Sequence, residues 1–294
     1  MTPLANRQNQ KLTPVVLSIA GFDPSSGAGI TADIKTIAAY GCYGATCITA
    51  LTVQTTQGVR AVEAVGPEIV RATLRELAAD LSVSAVRIGM LGSAAVAEAV
   101  LEFLESTRPP NVVLDPVIRS SSGAELLDPA GVALLRHRIL PLVSVVTPNV
   151  GEVSVLSGLP AAELTLAAAR FLDPDTDPRL RAAIADGEVL LDRGVKAVVI
   201  TGGHLEKPTD VLLWRPGGKL QILIFPSRRI ESRSTHGTGC AFATSLACSL
   251  ALGTSLPEAV ARAQEYVLRA IQTAKPLGKG IGPINHLWPL RRRS

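Results

Sequence analysis

Aromatic residues are scarce in this chain, with five Phe, three Tyr and two Trp among 294 residues. The terminal run Arg291-Arg292-Arg293 lacks the interleaved aromatics of a strand-binding groove, so the net charge of +4 reads as solvated ends and no nucleic-acid partner is expected. The four cysteines, Cys42, Cys47, Cys240 and Cys248, show no C-x-x-C spacing, which suggests neither a zinc site nor a disulfide framework. Long apolar runs are missing too. The stretch from Cys240 to Leu252 is too short and too punctuated by polar residues to span a membrane, and the leader Met1 to Pro14 has no apolar core of the secretory kind. A cytoplasmic protein is expected. G-x-G-x-x-G, G-x-x-x-x-G-K-[ST], H-R-D and D-F-G are all absent, which removes dinucleotide-binding, Walker-type and protein-kinase readings.

Apolar residues make up 47% of the chain and charged residues 18%, enough for a sizeable core. One domain over residues 14–288 is expected, with a flexible polar leader at 1–13 and a basic tail at 289–294. The apolar, β-branched run Pro14 to Ala20 predicts a strand covered on both faces. It leads into Gly21-Phe22-Asp23-Pro24-Ser25-Ser26-Gly27-Ala28-Gly29, after which Ile30, Ile34, Ile37 and Ala38 recur at helical spacing up to Gly41. Tyr43 to Val53 reads as a second strand running into a loop at Gln54 to Gly58. Helices over 67–81 and 94–104 then alternate with strands over 85–89 and 111–114. This rhythm predicts a parallel sheet with right-handed crossovers, and Val211 to Trp214 with Leu220 to Phe225 adds an antiparallel hairpin at one edge. Residues 160–194 are helical, interrupted by the turn-rich stretch 173–178. Ser255 to Glu258 reads as a capping box for a last amphipathic helix.

Chemistry gathers at strand ends, where open α/β sheets bind ligands. Ser234-Thr235-His236-Gly237-Thr238-Gly239-Cys240 opens an apolar helix, so bare N–H groups and the helix dipole make an anion cradle there. A thiol in that first turn has its thiolate favoured by the dipole. The plain alternative is a tight helix entry with Cys240 packed as a small apolar residue. Asp115, Asn149 and Glu152 follow buried strands and carry oxygen ligands of the kind Mg²⁺ prefers, although Asn149 with Glu152 also fits a capping box. Gln54 could simply bond local backbone, and Met90 could be core filler. No chemical role is read for His204 or His236. Together these features describe phosphoryl transfer to a small hydroxylated molecule.

Eight segments in order, from Ala20-Gly21-Phe22-Asp23-Pro24-Ser25-Ser26-Gly27-Ala28-Gly29 through Ile88-Gly89-Met90-Leu91 and Thr147-Pro148-Asn149-Val150-Gly151-Glu152 to Thr235-His236-Gly237-Thr238-Gly239-Cys240, closely resemble the hydroxymethylpyrimidine/phosphomethylpyrimidine kinases of thiamine biosynthesis. The resemblance runs from about Val15 to His286. It implies a ribokinase-like three-layer α/β/α fold and an ATP- and Mg²⁺-dependent kinase that acts on 4-amino-5-hydroxymethyl-2-methylpyrimidine and then on its monophosphate. Gly21, Asp23, Ala28 and Gly29 would line the pyrimidine site, Gln54 would pair with the ring nitrogen and amino group, and Met90 and Val117 would pack on the ring. Asp115 and Glu152 would position the metal. Asn149, Thr201 and Gly203 would face ATP. The backbone of Gly237, Thr238 and Gly239 would hold the transferring phosphate, with Cys240 in the place of the base. A monovalent cation and a homodimer are further expectations. Thr201 stands where many relatives carry lysine. The alternatives are a pyridoxal kinase, which Gln54 would discriminate, and a non-catalytic pyrimidine-binding protein.

Overall fold

The computed structural model describes residues 13–119, 123–159, 165–173 and 175–290. Of the expected leader only Thr13, and of the expected basic tail only Pro289 and Leu290, fall within these ranges. Residues 160–164 of the helical stretch, and Pro174 of the turn-rich one, lie outside them.

In chain order the elements are β1 Val15–Phe22, α1 Gly29–Ala39, β2 Tyr43–Thr55, β3 Gly58–Ala64, α2 Pro67–Asp80, β4 Val83–Ile88, α3 Ala94–Thr107, β5 Val112–Leu114 and α4 Pro129–Leu134. There follow β6 Val145–Val146, α5 Val150–Ser157, α6 Leu166–Ala169, α7 Pro178–Asp192, β7 Ala197–Ile200, β8 Thr209–Trp214, β9 Gln221–Pro226, α8 Thr238–Ala251 and α9 Leu256–Gln272. The nine strands of the described residues form one sheet in the order β3-β2-β1-β4-β5-β6-β7-β8-β9. Pairing is parallel from β2 through β7, while β3 at one edge and β8 and β9 at the other run antiparallel.

Strand alternation sorts the core into two layers. Leu17, Ile19, Val86, Ile88, Leu114 and Val198 face α2, α3, α5 and α7. Val16, Ala85, Val113, Val145 and Val199 face α1, α8 and α9 on the other side. The chain leaves β1 for one layer through α1 and leaves β4 for the other through α3, so the strand order reverses between β1 and β4. That reversal opens a crevice beyond their carboxyl ends, where the Gly21 to Gly29 loop and Gly89-Met90 sit.

Three expectations change. The segment after Gln54 is not a loop, because β2 continues to Thr55 and turns directly into β3, an edge strand the sequence reading omits. Most of β3 is half-buried or exposed, so it lacks the apolar signature that marks the central strands. α4 was likewise not anticipated. The Ser255 side chain caps nothing, and Pro257 at the second helical position has removed one of the N–H groups such a cap would reach.

Candidate active site

The crevice is closed in by three glycine-rich segments that touch one another. Gly237, at φ +89°, precedes α8 and lies so close to the β1–α1 loop that a Cβ there would stand 1.8 Å from the Gly27 carbonyl oxygen. A Cβ on Gly27 would in turn meet the His236 ring at 2.2 Å. The C-terminal segment binds both: His236 N–H donates to Gly282 O at 3.0 Å, and His286 Nε2 donates to Gly27 O at 3.0 Å. The same segment reaches the β2–β3 turn, where Ile281 N–H donates to Thr56 O at 2.8 Å. Close backbone approach is thus what these glycines supply.

Asp23 organises the loop after β1. Its Oδ1 accepts from Ser25 N–H at 2.8 Å and Ser25 Oγ at 2.7 Å, and its Oδ2 accepts from Ala28 N–H at 2.9 Å and contacts His236 Nε2 at 2.8 Å. Burial alone would raise its pKa, but the hydrogen bonds from His236, Ser25 and Ala28 bring it down to about 2. Gln54, half-buried, reaches the same His236 Nε2 at 3.1 Å. Ala50, Thr52 and Gln54 share one face of β2, and Ala50 packs there with Met90, Leu126, Val62 and Val117 as a small apolar wall apart from the two main cores.

Beneath the crevice lies a buried charge network. Arg87 on β4 is fully buried and donates from Nη2 to Asp115 Oδ2 at 2.7 Å and from Nη1 to Asp33 Oδ2 at 3.1 Å. Ser18 and Thr244 donate to Asp33 at 2.6 and 2.7 Å. Gly89, two residues on, leaves the guanidinium its space: a Cβ there would stand 2.0 Å from Arg87 Nη1. Burial raises the pKa of Asp33 and Asp115, offset in part by Arg87. Arg87 also neighbours Cys240. The expected low-pKa thiol is not found there. Burial pushes Cys240 up to about 11, helped by the Asp115 and Asp33 charges and opposed by Arg87 and a hydrogen bond from the Gly29 backbone.

At the end of β6, Asn149 Oδ1 accepts from Gly151 and Glu152 N–H, and Glu152 Oε2 accepts from Asn149 N–H at 2.9 Å. The capping box therefore exists. Burial and the Asp115 charge together push Glu152 up to about 8. A carboxyl whose ionisation is opposed by a neighbouring carboxylate suits a nearby cation. No cluster of three His, Cys, Asp or Glu ligands is preassembled among the described residues. Thr201 lies beside Asn149, its N–H donating to Pro148 O at 2.9 Å. Asn149, Thr201, Arg179 and His204 help line a cleft of about 90 Å³. Gly203, between Thr201 and His204 in sequence, is exposed.

The profile described as phosphomethylpyrimidine kinase matches residues 23–285. A hydroxymethylpyrimidine/phosphomethylpyrimidine kinase of Streptomyces coelicolor is 43% identical over 277 residues, covering 94% of this chain and 96% of its own. The chain belongs to the phosphomethylpyrimidine kinase family. It is a phosphotransferase with the ribokinase-like fold. The crystal structure of a Clostridium difficile phosphomethylpyrimidine kinase aligns with TM-score 0.72 at 32% identity, over 88% of this chain and 100% of that one. An ADP complex of Bacillus subtilis pyridoxal kinase aligns with TM-score 0.78 at 30% identity, over 93% and 97%. Among the described residues no helix is long and apolar enough to cross a membrane.

The fold brings the family's motif residues to one crevice from β1, β2, β4, β5 and the start of α8. Sequence reasoning missed Arg87, Asp33, His236 and His286 as parts of this site. An arginine flanked by apolar residues in a central strand was a readable signal for Arg87. Nothing in the spacing linked His286 to Gly27, which is 259 residues away.

Proposed function

We propose that this family member uses ATP and Mg²⁺ to phosphorylate 4-amino-5-hydroxymethyl-2-methylpyrimidine and then its monophosphate. The observation that carries this reading is the meeting of the Gly237 to Cys240 turn with the Asp23 loop across the sheet's reversal point. A polar amide, Gln54, and an apolar wall that includes Met90 and Val117 stand at the same crevice. The first-turn N–H groups of Thr238, Gly239 and Cys240 have no partner within α8 and are available to the transferring phosphoryl group. Asp115 and Glu152 would hold Mg²⁺, mainly through water, and the ion would supply charge neutralisation on the phosphates. Cys240, protonated at neutral pH in the isolated chain, would take the substrate hydroxyl proton only once phosphates and metal change its surroundings. Asn149, Thr201 and Gly203 would face the nucleotide.

The names of the curated relatives do not favour a pyridoxal kinase, and the pyridoxal kinases among the solved neighbours share the fold. ADP release from ATP and Mg²⁺ tests the assignment, with the pyrimidine alcohol, its monophosphate, pyridoxal or nothing added. Turnover with both pyrimidines is expected. Turnover with pyridoxal alone would overturn the substrate, and silence in all four would overturn the kinase reading.

A further inference from the structure

His236 stands between Asp23 and Gln54, with one ring nitrogen, Nε2, 2.8 Å from Asp23 Oδ2 and 3.1 Å from the end of the Gln54 amide. A carboxylate held ionised can only accept, so the imidazole must carry its proton on Nε2, whether the ring is neutral or cationic. A nitrogen that already bears a proton cannot accept another from an amide NH₂. The two ends of a carboxamide have the same shape, and the protons around it decide which is which. At the far end of the amide, Thr52 Oγ1 lies 3.2 Å away and 3.0 Å from Phe22 O. The Phe22 carbonyl can only accept, so the single Thr52 proton goes there and the hydroxyl oxygen is left to accept from Gln54. Both ends give the same answer, an amide turned over from its placed orientation with Nε2 toward His236: Gln54 Oε1 faces His236, where it shares the one Nε2–H with Asp23, and Gln54 NH₂ faces Thr52.

We propose that His236 is a specificity-determining positioning residue: held in its Nε2–H form by Asp23, it fixes the direction of the Gln54 amide. The inference rests on the pyrimidine-kinase reading of the crevice. A fixed amide offers one acceptor and one donor in a set order. An aminopyrimidine edge matches it with the exocyclic amino group on the His236 side and the ring nitrogen on the Thr52 side. An amide free to rotate would accept either order and would discriminate poorly against a ring that lacks the amino group.

Two measurements test this. The first compares kcat/KM for the pyrimidine alcohol with that for 5-hydroxymethyl-2-methylpyrimidine, which lacks the amino group, in wild type, His236→Phe, Gln54→Ala and the double variant. Wild type should prefer the amino compound by on the order of 10²-fold, because the analogue covers the half-buried Gln54 amide and leaves its oxygen without the amino donor. His236→Phe should cut that preference to a few-fold, and adding it to Gln54→Ala should change the preference no further. A preference unchanged in His236→Phe, or an equal effect in both backgrounds, would overturn the inference. The second measurement needs no variant to fold: ¹⁵N NMR of the labelled wild-type protein should show a protonated His236 Nε2, and a neutral ring protonated on Nδ1 would overturn it. A wild-type enzyme that turns over neither pyrimidine would instead sink the functional reading, and this inference with it.

Discussion

Arg87 Nη2 lies 2.7 Å from Asp115 Oδ2, and this contact ties the floor of the site to the fold's central strands. The same guanidinium holds Asp33, so one buried cation stands against two buried carboxylates. Arg87→Met should lower stability by about 3–5 kcal/mol, because it strands both acids without a partner in the core. Urea denaturation at pH 7 checks this. A loss below about 1 kcal/mol would show that water or rearrangement rescues the acids.

Gly237→Ala should be costly for a different reason. The new Cβ would stand 1.8 Å from Gly27 O at a backbone φ of +89°, so the turn must open and the loop before α1 must shift. Strain of about 1–3 kcal/mol is expected, together with a loss of turnover of about 10²-fold as the phosphoryl-facing N–H groups move. Steady-state kinetics beside a melting curve separates the two effects. An alanine variant with wild-type kcat would remove that turn from the proposed chemistry.

Two of the groups with shifted pKa values, His286 and Glu152, act on stability in opposite directions between pH 4 and 8. His286 is buried and held neutral, its pKa lowered from 6.5 to about 4, so its contribution is present above 6.5 and is lost as pH falls toward 4. Glu152 has its pKa raised from 4.5 to about 8, so the folded state holds the extra proton between those values and stability falls as pH rises through them. From pH 6.5 to 8 the Glu152 effect no longer meets an opposing one from His286. Chemical denaturation in that window should show declining stability in wild type and a flatter profile in Glu152→Gln. Added Mg²⁺ should reduce the wild-type decline if Glu152 is a metal-positioning group. Equal slopes in wild type and variant would clear Glu152 of the effect.

Cys240 should alkylate slowly at neutral pH. With the thiol pushed up to about 11, its reaction with iodoacetamide should rise about tenfold per pH unit through pH 9 without reaching a plateau. Mass spectrometry of the modified peptide, with Cys240→Ala as the blank, resolves it from the three buried thiols. A plateau near pH 7 would restore the dipole-lowered thiolate. Cys240→Ala should still bind the pyrimidine while losing about 10²-fold or more in turnover.

Local sequence patterns were enough to place most elements. The β-branched run at Val15, the helical spacing of Ile30, Ile34 and Ile37, and the Asn149-x-x-Glu152 cap are all short-range signals, and each element formed where its pattern stood. The glycine turn before Cys240 was legible on the same grounds. What the patterns could not give was partnership across the chain. Whether Cys240 is a low- or a high-pKa thiol depends on burial beside Arg87, Asp115 and Asp33, which arrive from three other elements. Asp23 became an ionised anchor through His236, 213 residues away, and His286 became a loop clasp through Gly27. Neighbours in the chain set most of the strands and helices and the types of group at their ends, whereas β3 and α4 carry no local pattern strong enough to announce them. Only the tertiary structure decided which groups meet, and so how each is protonated, because desolvation and charge depend on what is brought alongside.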